Sequence, residues 1–208
     1  MTTVPDPASP DALSDALLVD VGADHLERLH ADLVARAGAP GELDVAYRVV
    51  DSPVGRLLLA ATDVGLVRVA FEAEDHDAVL AALSVRVGPR VLLAPRRLDA
   101  TARELDEYFA GRRRAFDLPL DRRLSGGYRG AVLEVLSTIP YGRTESYASV
   151  ARTTGNPGAV RAVGTACATN PIPVVVPCHR VVRSDGTWGR YLGGARAKSA
   201  LLRLEGAA

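Results

Sequence analysis

Only two cysteines occur in the 208 residues, Cys167 and Cys178. So few exclude a disulfide-stapled scaffold and a four-cysteine zinc site. No apolar run reaches the roughly 18 residues that a membrane-spanning helix needs. The first residues, Met1 to Asp6, lack the basic patch and apolar stretch of a secretory signal. Together these absences predict a reducing compartment, the cytoplasm, and no membrane. Lysine is nearly missing too: 24 of the 25 basic residues are arginine. Internal repeats and low-complexity tracts are absent. Net charge is zero, but it is unevenly spread. Residues 141–208 hold nine Arg/Lys against three acids, Glu145, Asp185 and Glu205, so residues 1–140 are acidic by the same excess. Either the basic segment meets a polyanion, or the two segments neutralise each other within one protein.

What is present is concentrated in one stretch. Pro171-Ile172-Pro173-Val174-Val175-Val176-Pro177 reads as a buried, proline-bracketed strand that delivers Cys178, with His179 and Arg180 next in line. An ordinary cysteine ionises near pH 8.5, and an adjacent imidazole or guanidinium can lower that value. Cys178 is therefore expected to be an activated sulfur nucleophile.

The 48% hydrophobic composition suffices for one larger domain or two small ones. Residues 1–10 read as a loose tail. Leu26, Leu29, Leu33 and Ala37 fall at helical spacing within Asp24–Ala37, closed by Gly38 and Pro40. Such a helix packs on the body or on a partner. Val45–Val50, Arg56–Ala61 and Leu66–Phe71 read as a three-stranded meander, and Asp75–Val87 and Leu98–Phe109 as helices. Leu118–Gly126 reads as a linker. Helices follow at Tyr128–Thr138 and Tyr147–Thr153, and after Thr154-Gly155-Asn156 a third begins with Pro157 at its first position and runs to Thr169. The latter pair is a helix-turn-helix candidate. Small residues on its second helix, Ala159, Ala162, Gly164, Thr165 and Ala166, allow close approach to a nucleic-acid groove or to another helix. A last helix, Ala195–Leu204, leads to Glu205.

Three segments in this order carry a family resemblance. They are Ile139-Pro140-Tyr141-Gly142-Arg143-Thr144-Glu145-Ser146-Tyr147, the stretch from Gly155 to Gly164, and the stretch from Asn170 to Val182. With Tyr191-Leu192-Gly193-Gly194 and the closing Leu201 to Gly206, the chain resembles the O6-alkylguanine-DNA alkyltransferases, densely over residues 125–206. Residues 45–120, including Glu104 to Gly111, resemble that family's N-terminal domain more loosely. The resemblance implies an α/β N-terminal domain with a small antiparallel sheet, ribonuclease H-like, over 44–120. It implies a mainly α C-terminal domain with a winged helix-turn-helix over 125–208. Residues 1–43 are an N-terminal extension.

The implied activity is DNA repair. Cys178 takes a methyl or other alkyl group from O6-alkylguanine, and from O4-alkylthymine, in a single irreversible turnover, after the base has been rotated out of the duplex. His179 is the implied base, acting through a water, and Glu205 orients it. Tyr147 donates toward the leaving guanine, and Asn170 braces the active-site turn. Arg161 fills the gap in the stack, with Ala159, Gly164, Tyr147 and Arg180 at the DNA. Tyr147, Val181, Tyr191 and Leu192 form the substrate pocket; Leu192 stands where the family often has a small residue, which bears on alkyl size. Arg183, Arg190 and Arg196 join Arg180 as candidate phosphate contacts. No cofactor or metal is implied, since no cysteine precedes residue 167 to make the zinc site of some eukaryotic relatives. The partner is double-stranded DNA bound in the minor groove with little sequence preference, and the protein is a monomer away from DNA. Cys167, in apolar company, reads as a buried inert thiol. The alternative within the family is a lesion-binding protein that transfers nothing; those relatives replace the reactive cysteine. A Cys-His-Glu hydrolase leaves Arg161 unexplained, and a transcription regulator leaves Cys178 unexplained.

Overall fold

The computed structural model describes residues 23–36 and 41–207, so the expected tail over 1–10 lies outside the described residues. The chain separates into two compact units, Met1–Gly38 and Ala39–Ala208. In the first, helix α1 spans Ala23–Arg36, and Leu26, Leu29 and Leu33 are exposed.

The second unit opens with the meander. Strands β1 (Val45–Val50), β2 (Leu57–Ala61) and β3 (Leu66–Phe71) pair antiparallel. The β1–β2 turn closes through Gly55, whose φ of +98° suits a residue without a side chain, and whose carbonyl accepts the Ser52 hydroxyl at 2.5 Å. Leu57, Leu58, Leu59 and Ala60 are all buried, so β2 is apolar on both faces as a central strand must be. Helix α2 (His76–Arg86) then returns the chain to β4 (Val91–Leu93), which pairs parallel to β1. The sheet, in order β3-β2-β1-β4, is mixed and not wholly antiparallel. A three-residue strand is too short for an alternation pattern to announce it. Helix α3 (Asp99–Phe109) lays Ala102, Leu105 and Tyr108 into the core.

The expected linker is bound tightly to the sheet. Leu66 donates to the Pro119 carbonyl at 2.8 Å, Asp121 returns the bond at 2.9 Å, and the buried Asp121 carboxylate accepts the Thr62 hydroxyl at 2.6 Å. A Cβ at Gly65 would lie 2.2 Å from the Pro119 oxygen, so only glycine lets these backbones meet.

Beyond it come α4 (Gly127–Ser137), β5 (Glu145–Ser146), α5 (Tyr147–Thr153), α6 (Val160–Ala168), β6 (Val181–Val182) and α7 (Gly194–Leu204). Ser146 caps α5 through the Ser149 amide at 3.1 Å. The second helix of the α5–α6 pair starts at Val160 and not at Pro157. Asn156 accepts from the Ala159 amide, closing a turn that contains Pro157 and Gly158 before the helix can begin. β5 and β6 form a short parallel pair.

Residues 171–177 are buried, Val175 only partly, but are not a strand. They form consecutive turns in which the Val176 amide bonds the Ile172 carbonyl at 2.8 Å and Val174 takes a left-handed φ of +72°. Prolines 171, 173 and 177 offer no N–H to a ladder, which is why the apolar run cannot pair. One continuous core joins both halves, from Leu57, Val69, Leu105 and Tyr108 to Val132, Val163, Val176, Cys178 and Leu201. Among the described residues no helix is long and apolar enough to cross a membrane.

Candidate active site

Those turns end in a single 3-10 turn, Cys178–Arg180, whose three side chains are all buried. The Cys178 sulfur accepts a hydrogen bond from Asn170 Nδ2 at 3.1 Å. The same amide nitrogen donates to the Val176 carbonyl at 2.8 Å, and Asn170 Oδ1 accepts from the Ile172 amide at 3.0 Å. Asn170 thus ties the start of the turn to its end and to the sulfur.

Neither neighbour of Cys178 hydrogen-bonds to the sulfur, contrary to the simple reading of their adjacency. Both turn to Glu205, delivered by the end of α7. Glu205 accepts from His179 Nε2 at 2.8 Å, Arg180 Nε at 2.8 Å, Arg180 Nη2 at 2.9 Å, Tyr108 Oη at 2.6 Å and the Gly142 amide at 3.3 Å. Burial alone would raise this carboxyl, but the bonds from His179 and Arg180 hold it at about 2. An ionised carboxylate can only accept, so His179 Nε2 carries the proton and Nδ1 carries the lone pair. That Nδ1 is buried and has no protein partner. Burial also lowers the His179 pKa, so the imidazole rests neutral. A neutral imidazole with a free lone pair is a base ready for use.

Burial raises the Cys178 thiol to about 11, against the pull of the Asn170 bond and the Lys198 ammonium. The resting sulfur is a thiol and not the preformed thiolate its neighbours suggested. Thiolate absorbance, read as the difference from Cys178→Ser, is therefore expected to be absent at neutral pH in the DNA-free protein. It should emerge only well into the alkaline range; a midpoint below about 8.5, the ordinary thiol value, contradicts this.

Arg180 is not available to DNA. Its remaining nitrogen, Nη1, bonds the Ile139 carbonyl at 2.5 Å, so the whole guanidinium is spent inside. A charge count treats every arginine as surface; this one is the counter-ion of a carboxylate 25 positions away. Arg183, Arg190 and Arg196 are exposed, as is Arg161 in the first turn of α6. Ala159 is the N-cap of α6. A Cβ on Gly164 would meet nothing within 4 Å, so internal packing does not require that glycine.

Tyr147, at the start of α5, is half-buried and lies against the Gly189 backbone, where a Cβ would stand 2.2 Å from its hydroxyl. Burial, with the nearby Cys167 and Cys178, pushes this phenol up to about 12, so it stays a donor. The Tyr191 ring meets Phe71 edge-on at 5.5 Å and His179 at 6.2 Å, and its buried hydroxyl has no partner. Val181 is fully buried. Leu192 is partly buried and lines a cavity of about 380 Å³ with Arg68, Glu74, Arg86, Thr169 and Pro171. Cys167 is buried and its thiol is pushed up, mainly by that burial. No group of three metal-ligating side chains exists among the described residues.

Three contributors escaped the sequence. Tyr108 and Gly142 reach Glu205 from 97 and 63 positions away, beyond any local pattern. Lys198 did leave a signal, being the chain's only lysine. It is fully buried, donates to the Val181 carbonyl at 2.6 Å, and its charge favours the Cys178 thiolate.

Comparison with known proteins agrees over most of the chain. Residues 127–207 match the family model for the DNA binding domain of 6-O-methylguanine DNA methyltransferase, and residues 45–122 match its ribonuclease-like domain. A methylated-DNA–protein-cysteine methyltransferase of Mycolicibacterium paratuberculosis is 40% identical over 161 residues, covering 77% of this chain and 92% of the relative. One of Methanosarcina acetivorans is 36% identical over 160 residues, 77% of this chain and 97% of that one. Among solved structures, the Mycobacterium tuberculosis OGT in complex with DNA is 37% identical with a TM-score of 0.68, over 78% of this chain and 93% of that one.

Proposed function

Because the chain belongs to the 6-O-methylguanine DNA methyltransferase family, we propose that it repairs O6-alkylguanine in double-stranded DNA by moving the alkyl group irreversibly to its own Cys178. The observation that carries this reading is the buried Glu205 carboxylate, which holds the His179 proton on Nε2 and leaves Nδ1 free beside the thiol residue. Cys178 gives its proton to Nδ1 through a water, and Glu205 stabilises the imidazolium that results. The sulfur attacks the alkyl carbon in line, a C–S bond forms, and the C–O6 bond breaks with its electron pair left on guanine. Tyr147 donates toward the developing anion. The proton taken from the thiol restores neutral guanine. A thioether is inert, so each chain acts once. O4-alkylthymine offers the same carbon–oxygen bond and is a second substrate.

A stacked base cannot reach a buried sulfur. The base rotates out, Arg161 fills the gap it leaves, and Ala159 and Gly164 let α6 approach the minor groove closely, without base-reading side chains. Tyr147, Val181, Tyr191 and Leu192 bound the pocket. Residues 44–120 and 125–208 are the two domains. One chain supplies every residue of the site, which supports a monomer away from DNA, and the scarcity of cysteine supports action in the cytoplasm. A lesion-binding protein without transfer would have no use for Cys178.

The test separates extrusion from chemistry. Arg161→Ala should slow repair of O6-methylguanine in duplex DNA by at least about tenfold, the loss of about 1.4 kcal/mol or more of help with unstacking. Its reaction with free O6-benzylguanine should not change. Equal slowing of both reactions would remove the proposed finger.

A further inference from the structure

The sheet half of the molecule touches the active-site turn at one ion pair that the reaction chemistry does not use. Arg68 of β3 and Glu74, in the 3-10 turn Glu72–Glu74 that follows it, are 15% and 17% exposed at their side chains and form a salt bridge through Arg68 Nη2. Arg68 Nη1 reaches the Asn170 and Pro171 carbonyls, each at 3.3 Å. The Val69 amide donates to the same Pro171 carbonyl at 2.8 Å. Glu74 Oε1 accepts from the Phe71 amide at 2.9 Å, which locks the carboxylate to the strand. Phe71 in turn packs its ring on Tyr191 and against Gly193, where a Cβ would lie 2.6 Å away.

These contacts converge on one residue. Asn170 is the only side chain whose hydrogen bond ends on the Cys178 sulfur among the described residues, and its backbone carbonyl is held by Arg68. The turn it begins contains Val174 at positive φ, a conformation a β-branched residue keeps only under external constraint. The Asn170 amide has to point at the sulfur across a 3.1 Å contact, and a small shift of its backbone would redirect it. Buried carbonyls facing a guanidinium that is itself neutralised by a carboxylate form a rigid anchor.

We propose that Arg68 and Glu74 are a positioning pair for alkyl transfer: they fix the backbone at Asn170 and Pro171 so that the Asn170 amide faces the Cys178 sulfur. Neither touches the substrate; both act through Asn170. The inference rests on the assignment of Cys178 as the alkyl acceptor. Displacement of a reacting group by about 1 Å can cost about a hundredfold in rate, and the Arg68→Met variant is expected to lose on that order.

The experiment uses the full chain and single-turnover transfer from a duplex carrying O6-methylguanine. Rate constant and DNA affinity are measured for wild type, Arg68→Met, Arg68→Lys, Glu74→Gln, Asn170→Ala and the double variant Arg68→Met/Asn170→Ala. Arg68→Met and Glu74→Gln should lower the transfer rate while leaving DNA affinity within about twofold. Arg68→Lys should recover part of the rate, because an ammonium still meets the carboxylate and a carbonyl. The double variant should be no slower than Asn170→Ala alone, because one effect runs through the other. Losses that multiply in the double variant, or an Arg68→Met protein that transfers at the wild-type rate, would overturn the pairing. Should Arg68→Met fail to fold, Glu74→Gln with Asn170→Ala completes the same cycle. Wild-type protein that transfers nothing would instead contradict the assignment of Cys178.

Discussion

Glu205→Gln is expected to cut the rate of alkyl transfer by about 10⁴-fold, the loss seen when the orienting carboxylate of a nucleophile–base set is replaced by its amide. The reason lies in the proton. The carboxylate can only accept, so it keeps hydrogen on His179 Nε2 and the lone pair on Nδ1. A glutamine amide can turn its NH₂ toward Nε2, moving the ring proton to Nδ1 and leaving nothing to receive the thiol's proton. The same change strands Arg180, whose Nε and Nη2 both end on this carboxylate. Removing one member of a buried pair costs about 3–5 kcal/mol of stability. The pH dependence should change as well. The Glu205 pKa falls from 4.5 to about 2 on folding, so its contribution is fully present above about pH 4.5 and is lost as pH falls through about 2. The glutamine variant should lack that acid limb. Tyr108→Phe is the control: it removes one donor at 2.6 Å and leaves the charge, so transfer should fall far less. A Glu205→Gln protein transferring within about tenfold of wild type would contradict the assigned tautomer. Rates come from single-turnover transfer, stabilities from thermal unfolding across pH.

Cys178→Ser should abolish transfer altogether while leaving DNA affinity intact. Serine fits the site and can still accept the Asn170 amide, so the turn should persist. Its hydroxyl ionises far above even the raised value of about 11 for the thiol, and oxygen is a poorer nucleophile toward saturated carbon. The variant should therefore bind lesion DNA and hold it unrepaired, measurable by fluorescence anisotropy alongside the transfer assay. Cys178→Ala should do the same, leaving the Val176 carbonyl as the acceptor for the Asn170 amide. Residual transfer in either would move the acceptor to another residue, and Cys167 is the thiol such a result would implicate.

The parts of this site that lie close together in the chain were legible. Pro177-Cys178-His179-Arg180 announced a nucleophile beside a base, and the motif order gave the family. Helical periodicity placed α3, α4, α5 and α7 within a residue or so, because each buries one stripe against the core. What the sequence hid depends on partners far away. Arg180 reads as a surface cation until Glu205 is brought to it, and Arg68 reads as an ordinary strand residue until Asn170 arrives from 102 positions along. The turns at 171–177 were misread because burial makes a strand and a buried loop equally apolar, and only the missing proline N–H groups distinguish them. The ionisation of Cys178 was misjudged for a related reason. Adjacency in sequence suggested charge next to sulfur, whereas the fold sends both neighbouring side chains to a carboxylate and buries the sulfur.

One measurement bears on all of this. Full-length protein is incubated with excess duplex in which the O6-methyl carbon of a single guanine is isotopically labelled, and the peptides are then mapped by mass spectrometry. The label should appear on Cys178 alone, one methyl per chain, with Cys167 unmodified and an equal amount of guanine restored in the DNA. An unmodified Cys178 in protein that has bound the lesion, or more guanine restored than protein present, would contradict it.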